Sequence, residues 1–71
     1  MSYHHIEQEI IRWLSSNPGY KSAYRISIGT RHSDPTIKKY CARLIQAGVL
    51  EKTVQPSKGG WTHYRIRLEV A

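Results

Sequence analysis

Between Tyr20 and Val49 the chain sets six cationic side chains, Lys21, Arg25, Arg31, Lys38, Lys39 and Arg43, against one acidic residue, Asp34. Ammonium and guanidinium groups in such excess suit phosphate oxygens and the acceptor edges of bases. The densest part is DPTIKKYCARLIQAG, residues 34–48. At about 100° per residue, Ile37, Tyr40, Cys41, Leu44 and Ile45 share one side of a helix, while Pro35, Thr36, Lys39, Ala42, Arg43 and Gln46 gather on the other and Lys38 lies at the margin. A solvated helix normally mixes both signs of charge, yet beyond Asp34 this one has no acidic residue. Its polar side is suited to an anion. Arg43 can fork onto guanine O6 and N7, Lys39 can reach guanine or phosphate, and Gln46 can meet adenine or a backbone oxygen.

A second basic group follows in QPSKGGWTHYRIRLEV, residues 55–70. Lys58 lies beside Gly59 and Gly60, where a bare backbone lets a phosphate approach closely, and Arg65 and Arg67 alternate onto one face of the next segment. These side chains are placed to follow a sugar-phosphate backbone or to enter a minor groove. The plainer role for Arg67 is a charge that discourages edge pairing of a strand. Flanking phosphate contacts are expected from Lys21, Arg25 and Arg31, and from the hydroxyls of Ser22 and Ser33 at helix starts, where free N–H groups also favour anions.

Other chemistry finds little material. Cys41 falls among apolar positions and has no second cysteine, so a buried small hydrophobe is the expected role. His4, His5, His32 and His63 lack metal-ligand spacing: the adjacent pair cannot converge on one ion from a helix as an i, i+4 pair can. No Gly-rich phosphate loop joins a strand to a helix, Glu7 and Glu9 point to different sides of one helix, and no nucleophile has an evident base. No catalytic residue, metal or cofactor is therefore assigned. Nothing points to a small-molecule ligand.

At 71 residues with net charge +6, the chain is expected to be one domain over residues 1–71, with a core too small to enclose an active site. The pI of about 9.8 makes a polyanion the leading partner. A single cysteine suits a reducing compartment, so a cytoplasmic protein, nucleoid-associated when bound, is expected. The start MSYHHIEQEIIRWL carries Glu7, Glu9 and Arg12 within its apolar pattern and reads as neither a signal peptide nor a membrane span.

The elements that must hold these groups follow from periodicity and punctuation. Ser2 can cap a first helix over about residues 3–16, with Ile6, Ile10, Ile11, Trp13 and Leu14 as its stripe. Asn17-Pro18-Gly19 stops it. Ser22 caps a short second helix whose core contacts are Ala23, Ile26 and either Tyr24 or Ile28, and Gly29 suits a left-handed stop. In the third helix Asp34 is the expected cap, Pro35 the first helical residue and Gly48 the stop. A β-hairpin follows, VLEKTV pairing with WTHYRIRLEV, in which Thr62, Tyr64 and Ile66 face one way and Trp61, His63, Arg65 and Arg67 the other. Trp13 is expected to anchor the first helix against the hairpin, and Trp61 to close the edge of the core.

Three helices with a tight turn before the third, then a hairpin, is the order of an α+β winged helix-turn-helix domain. SAYRISIGTRHSDPTIKKYCARLIQAGVLEK resembles the winged-helix transcription-factor pattern, with Ile26, Ile37, Leu44, Gly48 and Leu50 at its core and turn positions. More narrowly, Glu9, Ile10, Trp13 and Leu14 in the first helix, and Gly60 to Tyr64 as a Gly-x-x-x-Tyr wing start, are similar to the small FaeA-like regulators of fimbrial operons. The resemblance implies sequence-specific binding of double-stranded DNA in transcription regulation. It places Thr36, Lys38, Lys39, Arg43 and Gln46 in the major groove, and Lys58, Gly59, Arg65 and Arg67 on the backbone or minor groove. A homodimer, or a larger regulatory protein beside which the chain acts as accessory, is the implied protein partner. Recognition of left-handed duplexes is disfavoured, because Lys38 and Ala42 replace the Asn and Tyr of the families that do it. The competing class is a winged helix that receives an acidic protein on the same helix.

Overall fold

The computed structural model describes residues 3–55 and 60–67. The order is α1 (His5–Ser16), β1 (Lys21–Ser22), α2 (Ala23–Thr30), α3 (Asp34–Gln46), β2 (Leu50–Gln55) and β3 (Trp61–Ile66). The three strands form an antiparallel sheet in the order β1-β3-β2, with Lys21 opposite Tyr64 on one side of β3, and Leu50 opposite Ile66 through Gln55 opposite Trp61 on the other. This is the winged helix-turn-helix architecture. Residues Lys21 and Ser22 carry no strand pattern of their own. They become a strand because β3 offers them a free edge.

The core joins all three helices to the sheet. Ile10 and Leu14 of α1, Ala23 and Ile26 of α2, Ile37, Cys41 and Leu44 of α3, Leu50 of β2 and Tyr64 of β3 are all buried. Each helix therefore buries the stripe that its periodicity marks. Tyr24 and Ile28, the alternatives on α2, are both exposed. Burial of Cys41 raises its thiol pKa to about 12, so it is a neutral thiol at physiological pH.

Several boundaries fall elsewhere than the sequence suggests. The cap of α1 is His4, whose Nδ1 accepts the Ile6 N–H at 3.2 Å, while Glu7 Oε1 reaches back to the His4 N–H at 2.8 Å. The expected cap, Ser2, lies outside the described residues. The cap of α3 is Ser33, not Asp34: its hydroxyl lies 3.4 Å from the Thr36 N–H, and Asp34 moves inside as the first helical residue, where a carboxylate favours the positive end of the helix dipole. Ser22 caps α2 as expected, its hydroxyl accepting from the Arg25 N–H at 3.2 Å. Gly48 has φ of +78° and ends α3 as expected.

Gly29 has a different job from the stop assigned to it. The left-handed residue after α2 is Arg31, at φ of 62°, and Gly29 stays helical. A Cβ on Gly29 would stand 2.2 Å from Nε1 of Trp13, so the missing side chain is the seat of the indole. Trp13 thus packs α1 against α2. Trp61 is 61% exposed and closes no core edge. On β3 both His63 and Tyr64 are buried, because a central strand is flanked by neighbours on both sides and His63 sits between Ser22 and Thr53 in register.

In most helices Gly→Ala stabilises by up to about 1 kcal/mol. Gly29→Ala should instead destabilise by about 1–3 kcal/mol, since the rigid indole must leave its seat. Urea denaturation of the two proteins measures the difference, and a stabilised variant would contradict this packing.

Candidate nucleic-acid interface

With Ile37, Cys41 and Leu44 fully buried, α3 can rotate no further, and its opposite side faces outward. Lys38, Lys39, Ala42, Arg43 and Gln46 are all exposed and Thr36 is half-buried. These residues stand together on one face. The hydroxyls of Ser33 and Thr36 lie 2.7 Å apart at its N-terminal end, so they act as a bonded pair.

The cations on this face are not equally free. Lys38 Nζ is 3.5 Å from Asp34 Oδ2, one turn earlier. Arg43 Nε is 3.7 Å from Glu7 Oε2, a carboxylate that α1 holds almost entirely out of solvent. Tyr40 lies between, with Lys39 Nζ 5.4 Å and the Arg43 guanidinium 5.9 Å from its ring centroid. Its ring stacks on His4 at 4.8 Å, and His4 stacks on His5 at 4.4 Å. Tyr40 and Glu7 therefore set the posture of the two outward cations. The sequence pattern places Tyr40 only on the apolar side and shows no link between Glu7 and Arg43. No local signal announces it: His is not among the favoured N-caps, so the reciprocal capping of His4 and Glu7 is visible only in the folded chain.

The hairpin cations divide. Arg65 forms an ion pair with Glu51 across the strand pair and lies 4.4 Å above the Tyr20 ring. It is half-buried and already engaged, so it is not the freely projecting cation that strand alternation suggests. Arg67 is exposed, and its N–H donates to Val49 O at 2.9 Å, which places it beside the end of α3 and not along the wing. Lys58 and Gly59 lie outside the described residues. Gly60 is exposed with φ of +73°.

Around α2, Arg25 and Arg31 are exposed, while Lys21 Nζ donates to Pro18 O at 3.0 Å. Ser22 is 8% exposed and its hydroxyl is committed to the cap, so burial removes it from the phosphate-contact set. Ser33 remains exposed beside Arg31.

Beneath the N-terminal turn of α3, Tyr64 has its phenol pKa raised, first by burial, with the negative charge of Asp34 adding to it. Among the described residues, no three His, Cys, Asp or Glu side chains converge as a metal site, and no helix is long and apolar enough to cross a membrane.

Comparison with known proteins bears on the fold. No family model matches the sequence, and no curated protein sequence does. The PcaV transcriptional regulator from Streptomyces coelicolor, solved in complex with its natural ligand, superposes with a TM-score of 0.82 at 20% identity, over 92% of this chain and 45% of that one. Human N-acetylserotonin methyltransferase in complex with SAM superposes with a TM-score of 0.73 at 19% identity, over 87% of this chain and 17% of that one. The chain thus spans less than half of either protein. At these identities the likeness shows a winged-helix fold, which occurs in a regulator and within an enzyme.

The Glu7–Arg43 contact predicts an energetic coupling. Arg43→Ala should lower stability by about 1 kcal/mol, well below the cost of breaking a fully buried pair because Arg43 is 62% exposed. The same substitution should cost less in a Glu7→Gln background, where the buried group is neutral. A double-mutant cycle by urea denaturation measures this, and additivity of the two changes would remove the contact.

Proposed function

We propose that this chain binds duplex DNA sequence-specifically as a small transcriptional regulator, with α3 in the major groove. The observation that carries the reading is the outward face of α3: Lys38, Lys39, Arg43 and Gln46 are exposed on a rigid helix whose other side is locked into the core. A major groove admits an α-helix, and side chains on such a face reach base edges. The net charge of +6 supports a polyanionic partner, and the regulator among the structural neighbours supports the class.

Within this reading the side chains take separate tasks. Arg43 and Gln46 read base edges, Lys39 reads a base or holds phosphate, and Thr36 and Lys38 stand at the entry of the helix. Arg25, Arg31, Ser33 and Lys21 meet flanking phosphates, and Arg67 meets the backbone near the end of α3. The wing tip, with Lys58 and Gly59, lies on the backbone or in the minor groove. Arg65 holds the wing strand to Glu51 and Tyr20 and contributes through shape. The chain works as one DNA-binding unit in the cytoplasm, as a homodimer or beside a larger regulator. The motifs Glu9-Ile10…Trp13-Leu14 and Gly60-x-x-x-Tyr64 support placing it with the small FaeA-like fimbrial regulators.

Titration against a generic duplex at several salt concentrations tests the partner class. With about five phosphates neutralised, the log-log slope should be about −4.5. Absence of binding at micromolar protein would favour a protein-interaction module instead.

Selection of bound DNA sequences then supplies a specific site for Arg43→Ala. The variant should lose about 1–3 kcal/mol on that site and relax preference at one base pair, with a much smaller loss on a scrambled duplex. Equal losses on both would make Arg43 a phosphate clamp.

A further inference from the structure

A groove of about 680 Å³ opens between the first turns of α2 and α3 and the start of β3. Tyr24 and Trp61 line it, and they are 59% and 61% exposed. In a chain this small, two large aromatic side chains left in solvent beside one concavity are a ready stacking surface. Asp34, Lys38 and Tyr64 also line the groove. Oδ2 of Asp34 lies 3.5 Å from Lys38 Nζ, and the Asp34 side chain is 43% exposed, so its carboxylate is open to a donor from the groove. An ionised carboxylate is acceptor-only and keeps lone pairs beyond those that one long contact to Lys38 engages.

The occupant must therefore bring a flat π surface and an N–H donor. Charge decides its class. Lys38 already offsets Asp34, and the chain carries +6, so a cationic side chain would be repelled where a neutral group on a polyanion would be drawn in. A nucleobase with an exocyclic amino group has these properties. Thymine does not fit as well, because its one N–H is flanked by two carbonyl oxygens that face the carboxylate. In a continuous duplex both faces of a base are covered by its neighbours, so the base that enters must be unpaired.

We infer that this groove receives one unpaired, amino-bearing nucleobase, stacked on Trp61 and Tyr24 and donating to the Asp34 carboxylate. The inference rests on the nucleic-acid reading above and adds a second binding mode beside the duplex-reading face of α3. It makes the ends, bulges or opened segments of a duplex preferred sites.

The test compares one blunt duplex with the same duplex bearing a single-stranded overhang of cytosines, of thymines or of abasic residues. Affinity is read by titration, and stacking by quenching of Trp61 fluorescence. The cytosine overhang should bind at least about 5-fold tighter than the abasic one, since a base stacked on an aromatic side chain contributes about 1–3 kcal/mol. Thymine should gain less. Trp61→Ala, at an exposed position that leaves the core untouched, should abolish the gain, and Tyr24→Ala should reduce it. Asp34→Leu should make cytosine and thymine equivalent.

If the blunt duplex binds but cytosine and abasic overhangs behave alike, or the gain survives Trp61→Ala, the groove inference falls and the duplex reading stands. If the blunt duplex does not bind while the cytosine overhang binds through Trp61, the duplex reading falls and the groove stands. Binding of no oligonucleotide overturns both. Quenching of Trp61 by a trimethyllysine peptide, with none by the cytosine overhang, would assign the groove to a cation and overturn the inference.

Discussion

Everything this molecule presents to a partner depends on how α3 is rotated about its axis. Ile37, Cys41 and Leu44 are fully buried against α1, α2 and the sheet. Turning the helix by one residue position, about 100°, would bring charged groups inward at a cost of several kcal/mol and expose a comparable apolar area. That constraint chooses the outward set. It also explains why an eight-residue α2 suffices. Trp13 packs into the space above Gly29, so α1 and α2 approach closely and leave α3 one compact surface to lie on.

Charge pairing refines what the rotation exposes. Of the cations that composition suggests as ligand contacts, Arg65 is bound to Glu51 and Tyr20, Lys38 lies near Asp34, and Arg43 leans toward the buried Glu7. The first is held tightly enough to become part of the fold. The other two are long contacts made by exposed cations, Arg43 to a carboxylate that is itself buried, and both cations can be exchanged onto a phosphate or a base. A net charge therefore overstates the number of groups available for binding. Geometry separates structural cations from available ones.

The fold alone leaves the activity open. The same arrangement superposes on a transcriptional regulator and on part of a methyltransferase, at about the same low identity. Function resides in what is displayed on the fold. Here that is a one-signed helix face, together with an aromatic groove at the N-terminal end of the same helix. Both features lie around α3, so its first turn serves the cap, the Asp34–Lys38 pair and the groove at once.

The sequence by itself determined the three helical stripes, the caps and stops at Ser22 and Gly48, the burial of Cys41 and the outward face of α3. These follow from local rules, because a 3.6-residue period and a capping hydroxyl act within a few positions of the chain. Only the tertiary structure decided the rest. The strand at Lys21 and Ser22 exists because β3 has an edge to pair, which no two-residue pattern can announce. Gly29 is a contact and not a stop, since its meaning lies in an indole sixteen positions earlier. Arg65 and Glu51 meet across a strand register, Glu7 and Arg43 across two helices, and Tyr24, Asp34 and Trp61 around one groove. Each of these joins residues far apart in sequence, and such distances are set only when the core closes.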